Sequence, residues 1–268
     1  MSVDEATTVE QVQAPDPEQD QRLPVLVPVG VVPGAGASTV AAACATAAAQ
    51  AGRRVRLIDA AAPHRSGLRG LVTASTDARV VTAGVTITTG RAATGVQVQY
   101  LDADGPQRWD EVDEWPVPAA CDAAVVDVGL SAEELLEDPA AQEWLGSELS
   151  EDPWVVLVSE PTPRCLRRAE AVLARWGALG APIAQIVLVG PHPMGAQAQA
   201  SLTGFTADAV SMAIELPWVP ALYSSGLEAG LPAAVTASVQ PLLHGAKVLA
   251  PPPSSAAPRG RRFRRRNP

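Results

Sequence analysis

The chain has 268 residues, 47% of them hydrophobic and only 18% charged, with a formal net charge of −9. That composition supports a sizeable core and excludes wholesale disorder, and the acidic balance argues against binding duplex DNA over the whole surface. Three cysteines (Cys44, Cys121, Cys165), far apart and odd in number, exclude a disulfide framework or a CxxC metal site. No apolar run reaches the roughly 20 residues of a membrane helix, and the acidic start does not read as a signal peptide, so the expected location is cytoplasmic. Of the 20 basic residues, 19 are arginine; Lys247 is the single lysine.

Residues 1–22 are acidic, carry Gln and Pro, and lack apolar periodicity, which predicts a disordered tail. Leu23 to Val32 is a continuous apolar run with β-branched residues, as expected of a buried parallel strand. The alanine-rich stretch Ser38 to Ala51, stopped by Gly52, predicts a helix. Arg54 to Ile58 predicts a second strand, ending at Asp59. Residues 85–101 alternate and carry glycine turns, which predicts a β-hairpin. Ala123–Val126, Trp154–Val158 and Ile183–Val189 predict further strands, and Arg164–Trp176 a helix. Ala209–Leu216 is expected to be a strand, with helix from Ala233 to Leu243. Such alternation predicts one doubly wound α/β domain over residues 23–250, with a mostly parallel sheet in three layers and a hairpin insertion. From Pro251 onward a Pro-rich linker leads into six arginines, Arg259, Arg261, Arg262, Arg264, Arg265 and Arg266. Without them the chain carries about −15, so an acidic body bears one basic tail.

Between the first strand and first helix stands Val31-Val32-Pro33-Gly34-Ala35-Gly36-Ala37-Ser38-Thr39. A glycine-rich turn entering a helix N-terminus makes an anion site, because backbone N–H groups converge and the helix dipole favours negative charge. Ser38 and Thr39 either cap the helix or offer a hydroxyl to Mg2+. Against the P-loop pattern GxxxxGK[ST], Gly36 and Ser38 match, whereas Val31 replaces the first glycine and Ala37 the lysine. Asp59 and Asp127 each end an apolar strand, where a carboxylate either orders Mg2+ or simply starts a loop. His64, His192 and His244 have no metal spacing, Cys44 reads as a small core residue, and the six tryptophans read as packing residues.

Over residues 25–245 the order of elements resembles the ParA/MinD branch (SIMIBI class) of the P-loop NTPases. Pro33–Thr39 sits on the family's GGxGK[ST]T, with Val32 at its extra signature lysine. RRVRLIDAAAPHRSGL resembles the second strand and first switch, with Asp59 on the first aspartate and Ala61 in place of the second. CDAAVVDVGL resembles the Walker B strand, placing Asp127 at the Mg2+-ordering position. WVVLVSEPTPRCLRRAEAVL and IELPWVPALYSSGLEAGLP resemble the later strand–helix and proline–glycine segments. In finer detail the chain is similar to MinD-like proteins carried by actinobacterial conjugative or integrative elements.

The resemblance implies ATP and Mg2+ as ligands, a homodimer or protein partner, and nucleotide contacts from Gly34, Gly36, Ala37, Ser38 and Thr39. The departures imply disarmed catalysis. Both phosphate-neutralising lysines are absent, and losing such a charge costs about two orders of magnitude or more in rate. The expected function is therefore a non-hydrolysing or weakly nucleotide-binding accessory protein in plasmid transfer, partition or secretion. Two alternatives stand beside it. One is an active ATPase in which an arginine such as Arg65 or Arg69 replaces lysine. The other is a protein that binds nucleic acid, or an anionic membrane, through the arginine tail.

Overall fold

In a computed structural model of the chain, residues 23–82, 85–103, 121–143, 153–176, 183–200 and 202–249 are described. The two expected tails lie outside these residues, as do Trp109, Trp115 and Trp144.

Among the described residues nine strands form one sheet: β1 (Val25–Gly30), β2 (Val55–Asp59), β3 (Val72–Thr82), β4 (Val85–Ala92), β5 (Gln97–Ala103), β6 (Ala123–Asp127), β7 (Trp154–Ser159), β8 (Ile183–Val189) and β9 (Ile214–Leu216). Their order is β3-β4-β5-β2-β6-β1-β7-β8-β9, and all pairings from β5 to β9 are parallel. The five parallel strands read from the sequence all lie in this sheet. Each of β1, β2 and β6 is buried along its whole length; β1 and β6 accordingly read as apolar runs, whereas β2 also buries Arg56.

Helix α1 (Ala37–Gln50) is buried continuously from Val40 to Ala48. Such a helix, apolar on all sides, lies in a core rather than at a surface. It packs on one face of the sheet together with α8 (Ala233–Ser238) and α9 (Gln240–Gly245), and Cys44 is buried there. The opposite face is covered by α2 (Ala132–Glu137), α3 (Pro139–Glu143) and α4 (Pro163–Trp176), with Trp176 only 1% exposed. Around β8, α5 (Ala196–Ala200) and α6 (Gly204–Ser211) complete that layer, and α7 (Pro220–Ser225) follows β9. Among the described residues no helix is long and apolar enough to cross a membrane.

Several sequence expectations need correcting. Residues 209–216 are not one strand. Thr203 starts α6, whose Ala207 N–H bonds the Thr203 carbonyl at 2.7 Å, and this helix runs to Ser211. Only Ile214–Leu216 reaches β8. The helix expected from 233 to 243 is two helices, because Pro241 opens the second, where its missing N–H costs nothing. The hairpin of residues 85–101 exists as β4–β5 and gains a third strand, β3, that the sequence does not announce. Thr73–Val80 is exposed at every position, so no buried face imposes an apolar alternation. Lys247, exposed and just beyond α9, holds φ at +58°.

Candidate functional site

The sheet order places β1 between β6 and β7, so the chain leaves β1 at the point where connections diverge to either side. In open α/β sheets ligands bind at such a switch point, beyond the carboxyl ends of the strands. The glycine loop stands there. Val31 N–H is tied to the Val158 carbonyl at 2.8 Å, and Ala35 N–H closes a turn onto the Val32 carbonyl at 3.2 Å. Gly34 and Gly36 have φ of +82° and +98°, which a side-chain-bearing residue rarely adopts. A Cβ on Gly36 would also come 3.1 Å from Val189. Helix α1 begins at Ala37 with Gly36 as N-cap and no side-chain cap, so neither Ser38 nor Thr39 serves as the cap that their position suggests.

Two cavities flank the loop. The first, of about 400 Å3, is lined by the loop from Pro33 to Thr39, by Asp127, Gly129 and Ser131 after β6, and by Arg65. The second, of about 500 Å3, is lined by Gly34–Gly36 and Thr39 together with Glu160, Val189, Trp218 and Tyr223. The rings of Trp218 and Tyr223 stand 5.5 Å apart, tilted by 47°, and are 38% and 82% exposed. Trp218 thus departs from the packing role that the sequence suggests for the tryptophans.

Asp127 is buried at the end of β6. Its Oδ1 accepts a hydrogen bond from Gly129 N–H at 3.2 Å, whereas Oδ2 has no hydrogen-bond partner among the described residues. Burial raises its pKa; the nearby Ser38 hydroxyl and Gly129 N–H pull the other way, although Ser38 does not reach Oδ2 with bonding geometry. A buried carboxylate oxygen left without a donor is a place for a cation or a donor-bearing ligand.

Asp59 is the register partner of Asp127 on the neighbouring strand. Its carboxylate accepts from Ser66 Oγ and, at 3.2 Å, from Ala61 N–H, and it does not line either cavity. Burial, followed by the Asp127 charge, pushes its pKa up to about 7, against the pull of Ser66, Ala61 and Arg69. The segment after Asp59 lies on the loop: a Cβ on Gly67 would come 3.0 Å from Ser38 Oγ, and one on Gly129 would come 2.4 Å from the Ala61 Cβ. Small residues at 61, 67 and 129 let this segment close.

Of the two arginines considered as lysine substitutes, only Arg65 reaches the polar cavity. Arg69 is occupied elsewhere, donating to the Leu101 carbonyl and lying 5.0 Å above the Tyr100 ring. The Arg65 guanidinium makes two 3.0 Å bonds to Glu134. Glu134 also accepts from Ser131 N–H at 2.7 Å, completing a capping box at the start of α2. Its carboxyl is held down at about 2 by Arg65 and Ser131, against the upward push of burial. The S-x-x-E spacing is readable in the sequence; the pairing with Arg65, 69 residues away, is not. Among the described residues no cluster of three or more His, Cys, Asp or Glu forms a metal site.

The geometry thus joins Gly34, Gly36, Ala37, Ser38, Thr39 and Asp127 around one cavity and leaves Asp59 outside its wall. No protein-family model matches the chain, and no curated protein matches it in sequence. Solved structures do. A chain of the MinC:MinD cell division protein complex of Aquifex aeolicus is 18% identical, with a TM-score of 0.55 over 82% of this chain and 95% of that one. A ParA family ATPase from Chlorobium tepidum is 17% identical, with a TM-score of 0.53 over 85% and 97%. The septum site-determining protein MinD of Pyrococcus horikoshii, complexed with Mg-ADP, is 16% identical, with a TM-score of 0.50 over 85% and 93%. The chain has the fold of these MinD and ParA proteins.

Proposed function

We propose that the protein is a ParA/MinD-like nucleotide-binding protein that binds Mg2+-nucleotide weakly and works by association rather than turnover, as a cytoplasmic accessory factor in plasmid transfer, partition or secretion. The observation that carries this is a preserved loop without its cation. The two positive-φ glycines, the Ser38 hydroxyl and the unpartnered Asp127 oxygen are in place around one cavity, while Ala37 stands where the P-loop pattern has lysine. Gly34 to Thr39 would cradle the phosphates, and Ser38 with Asp127 would hold Mg2+, which supplies charge neutralisation between phosphate oxygens. The aromatic cleft beside Trp218 and Tyr223 suits a base ring. A cation facing the transferred phosphoryl group is what the loop lacks, so binding outlives hydrolysis.

The partner is a second copy or another protein. Titration calorimetry with ATP and Mg2+, paired with a phosphate-release assay, tests the reading. Binding with turnover below about 0.01 per second is the expected result. Faster Mg2+-dependent turnover that vanishes in Asp127→Ala would overturn it and favour an active ATPase.

The six C-terminal arginines support a second interaction, with nucleic acid, because the rest of the chain carries about −15 and would repel polyanions. Deleting residues 251–268 should abolish binding to a non-specific duplex. With six arginines engaged, the full-length chain should show a log–log salt slope near −5. Equal binding by both chains would remove the tail from the function.

A further inference from the structure

The polar cavity beside the loop is lined by one cation and one anion among the described residues, Arg65 and Asp127. The anion has an unpartnered oxygen; the cation is ion-paired, because Glu134 holds it. Glu134 does not need Arg65 for its local task. It accepts from the Ser131 N–H and hydroxyl at 2.7 and 2.8 Å, and this box starts α2 on its own. Both Ser131 bonds fall on Oε2, so the box stands without Arg65, which shares Oε2 and is the partner of Oε1 on this half-exposed side chain. The segment carrying Arg65 is fixed against the loop by the Ser66–Asp59 bond and the Gly67–Ser38 approach, so the guanidinium has a short route from Glu134 into the cavity.

We propose that Arg65 is the phosphate-binding cation of this loop, and that Glu134 is an internal anion occupying it until a phosphate chain displaces the pairing. The inference rests on the nucleotide-binding reading above and names the residue that supplies its missing charge. A guanidinium is suited to the exchange, since its planar fork bonds a carboxylate and a phosphate in the same bidentate manner. Glu134 competes with the ligand, so affinity is set by the difference between two pairings rather than by Arg65 alone. The ligand chemistry is a diphosphate or longer chain with Mg2+, the metal falling to Asp127 and Ser38.

Full-length protein is titrated by calorimetry with Mg2+-ADP and, separately, with Mg2+-pyrophosphate. Glu134→Gln keeps an oxygen for the Ser131 box and removes the competing charge, so it should tighten both ligands about tenfold. Arg65→Ala should weaken both about tenfold or more, and Arg65→Lys should recover part of the loss. In the Arg65→Ala/Glu134→Gln double variant the gain from Gln should vanish, because the competition has no object. Thermal melts followed by circular dichroism accompany each variant, and Arg65→Gln replaces any Arg65→Ala protein that melts early. A response with ADP alone would mean that Arg65 reads the nucleoside, overturning the phosphate assignment. Affinities within twofold of the parent in both single variants, with binding still lost in Gly36→Val, would overturn the role of Arg65 and leave the loop as a nucleotide site. No binding by the parent or by Ala37→Lys would instead remove the nucleotide-binding reading itself.

Discussion

The centre of the sheet and its β3 end are built on opposite terms. From β2 to β7 the strands are covered on both faces by helices, and every residue of β1, β2 and β6 is buried. At one end β3 forms the sheet edge, exposed from Thr73 to Val80 and broken by three register irregularities. Strand β5 joins the two regimes, running parallel to β2 and antiparallel to β4. The difference teaches where precision is invested. The glycine loop, Asp59 and Asp127 all leave the covered strands, so their positions are fixed by core packing. The exposed end contributes Tyr100, against which Arg69 is held, and through it a lateral support for the segment after Asp59.

Substitutions on the two sides should separate them, the largest effect first. Leu57→Ala, in a fully buried position of β2, should cost about 3 kcal/mol, read as a shift of the urea midpoint. A cost below 1 kcal/mol would mean that the covered half is less tightly packed than its burial implies. Next comes Asp59→Asn at pH 8, expected to stabilise by about 2 kcal/mol. Burial and Asp127 raise the folded pKa of Asp59 to about 7, above its ordinary value, so the folded state holds the proton more tightly. Stability from this group is present at low pH and is lost as pH rises from about 4 to 7; the Asn variant should lack that slope. Glu134 runs the other way. Its carboxyl, held down at about 2, adds stability above its usual range that is lost on acidification, and this limb should persist in Asp59→Asn. Midpoints measured from pH 3 to 8 test both limbs.

Ala37→Lys should tighten Mg2+-ATP at least tenfold, about 1.4 kcal/mol, if charge is what the loop lacks. No gain would mean that the segment at Gly67 and Ala61 closes the cavity against the phosphates. The smallest effect belongs to the edge: Val80→Ala, at a position 71% exposed, should change stability by less than about 0.5 kcal/mol. A larger loss would show that something covers β3.

The same contrast explains what could be read from the sequence. Strands buried on both faces announce themselves as apolar runs, as β1, β6 and β7 do, and β2 and the partly buried β8 remain legible although Arg56 and Gln185 interrupt them. Strand β3 is silent because its Thr, Ser, Asp and Arg residues satisfy no core. Residues Ala209–Ser211 mislead because alanine and valine leading into Met212-Ala213-Ile214 fit a strand as well as a helix end, and only the start at Thr203 decides. At the site, glycine spacing and strand-end aspartates mark the loop and Asp127, since those demands are local. That Asp59 turns away to Ser66, and that Glu134 holds Arg65, are decided by side chains brought together only by the fold.

Lys247 offers a chemical handle. It is the chain's only side-chain amine, and it projects into solvent from a backbone held at φ +58°. Amine-directed acylation or fluorophore coupling therefore marks one side chain per molecule without any engineered attachment point. In the Ala37→Lys protein a second amine appears inside the loop. A reagent that modifies both then carries its own control, since Lys247 reports reagent strength while protection of the new amine counts occupied loops.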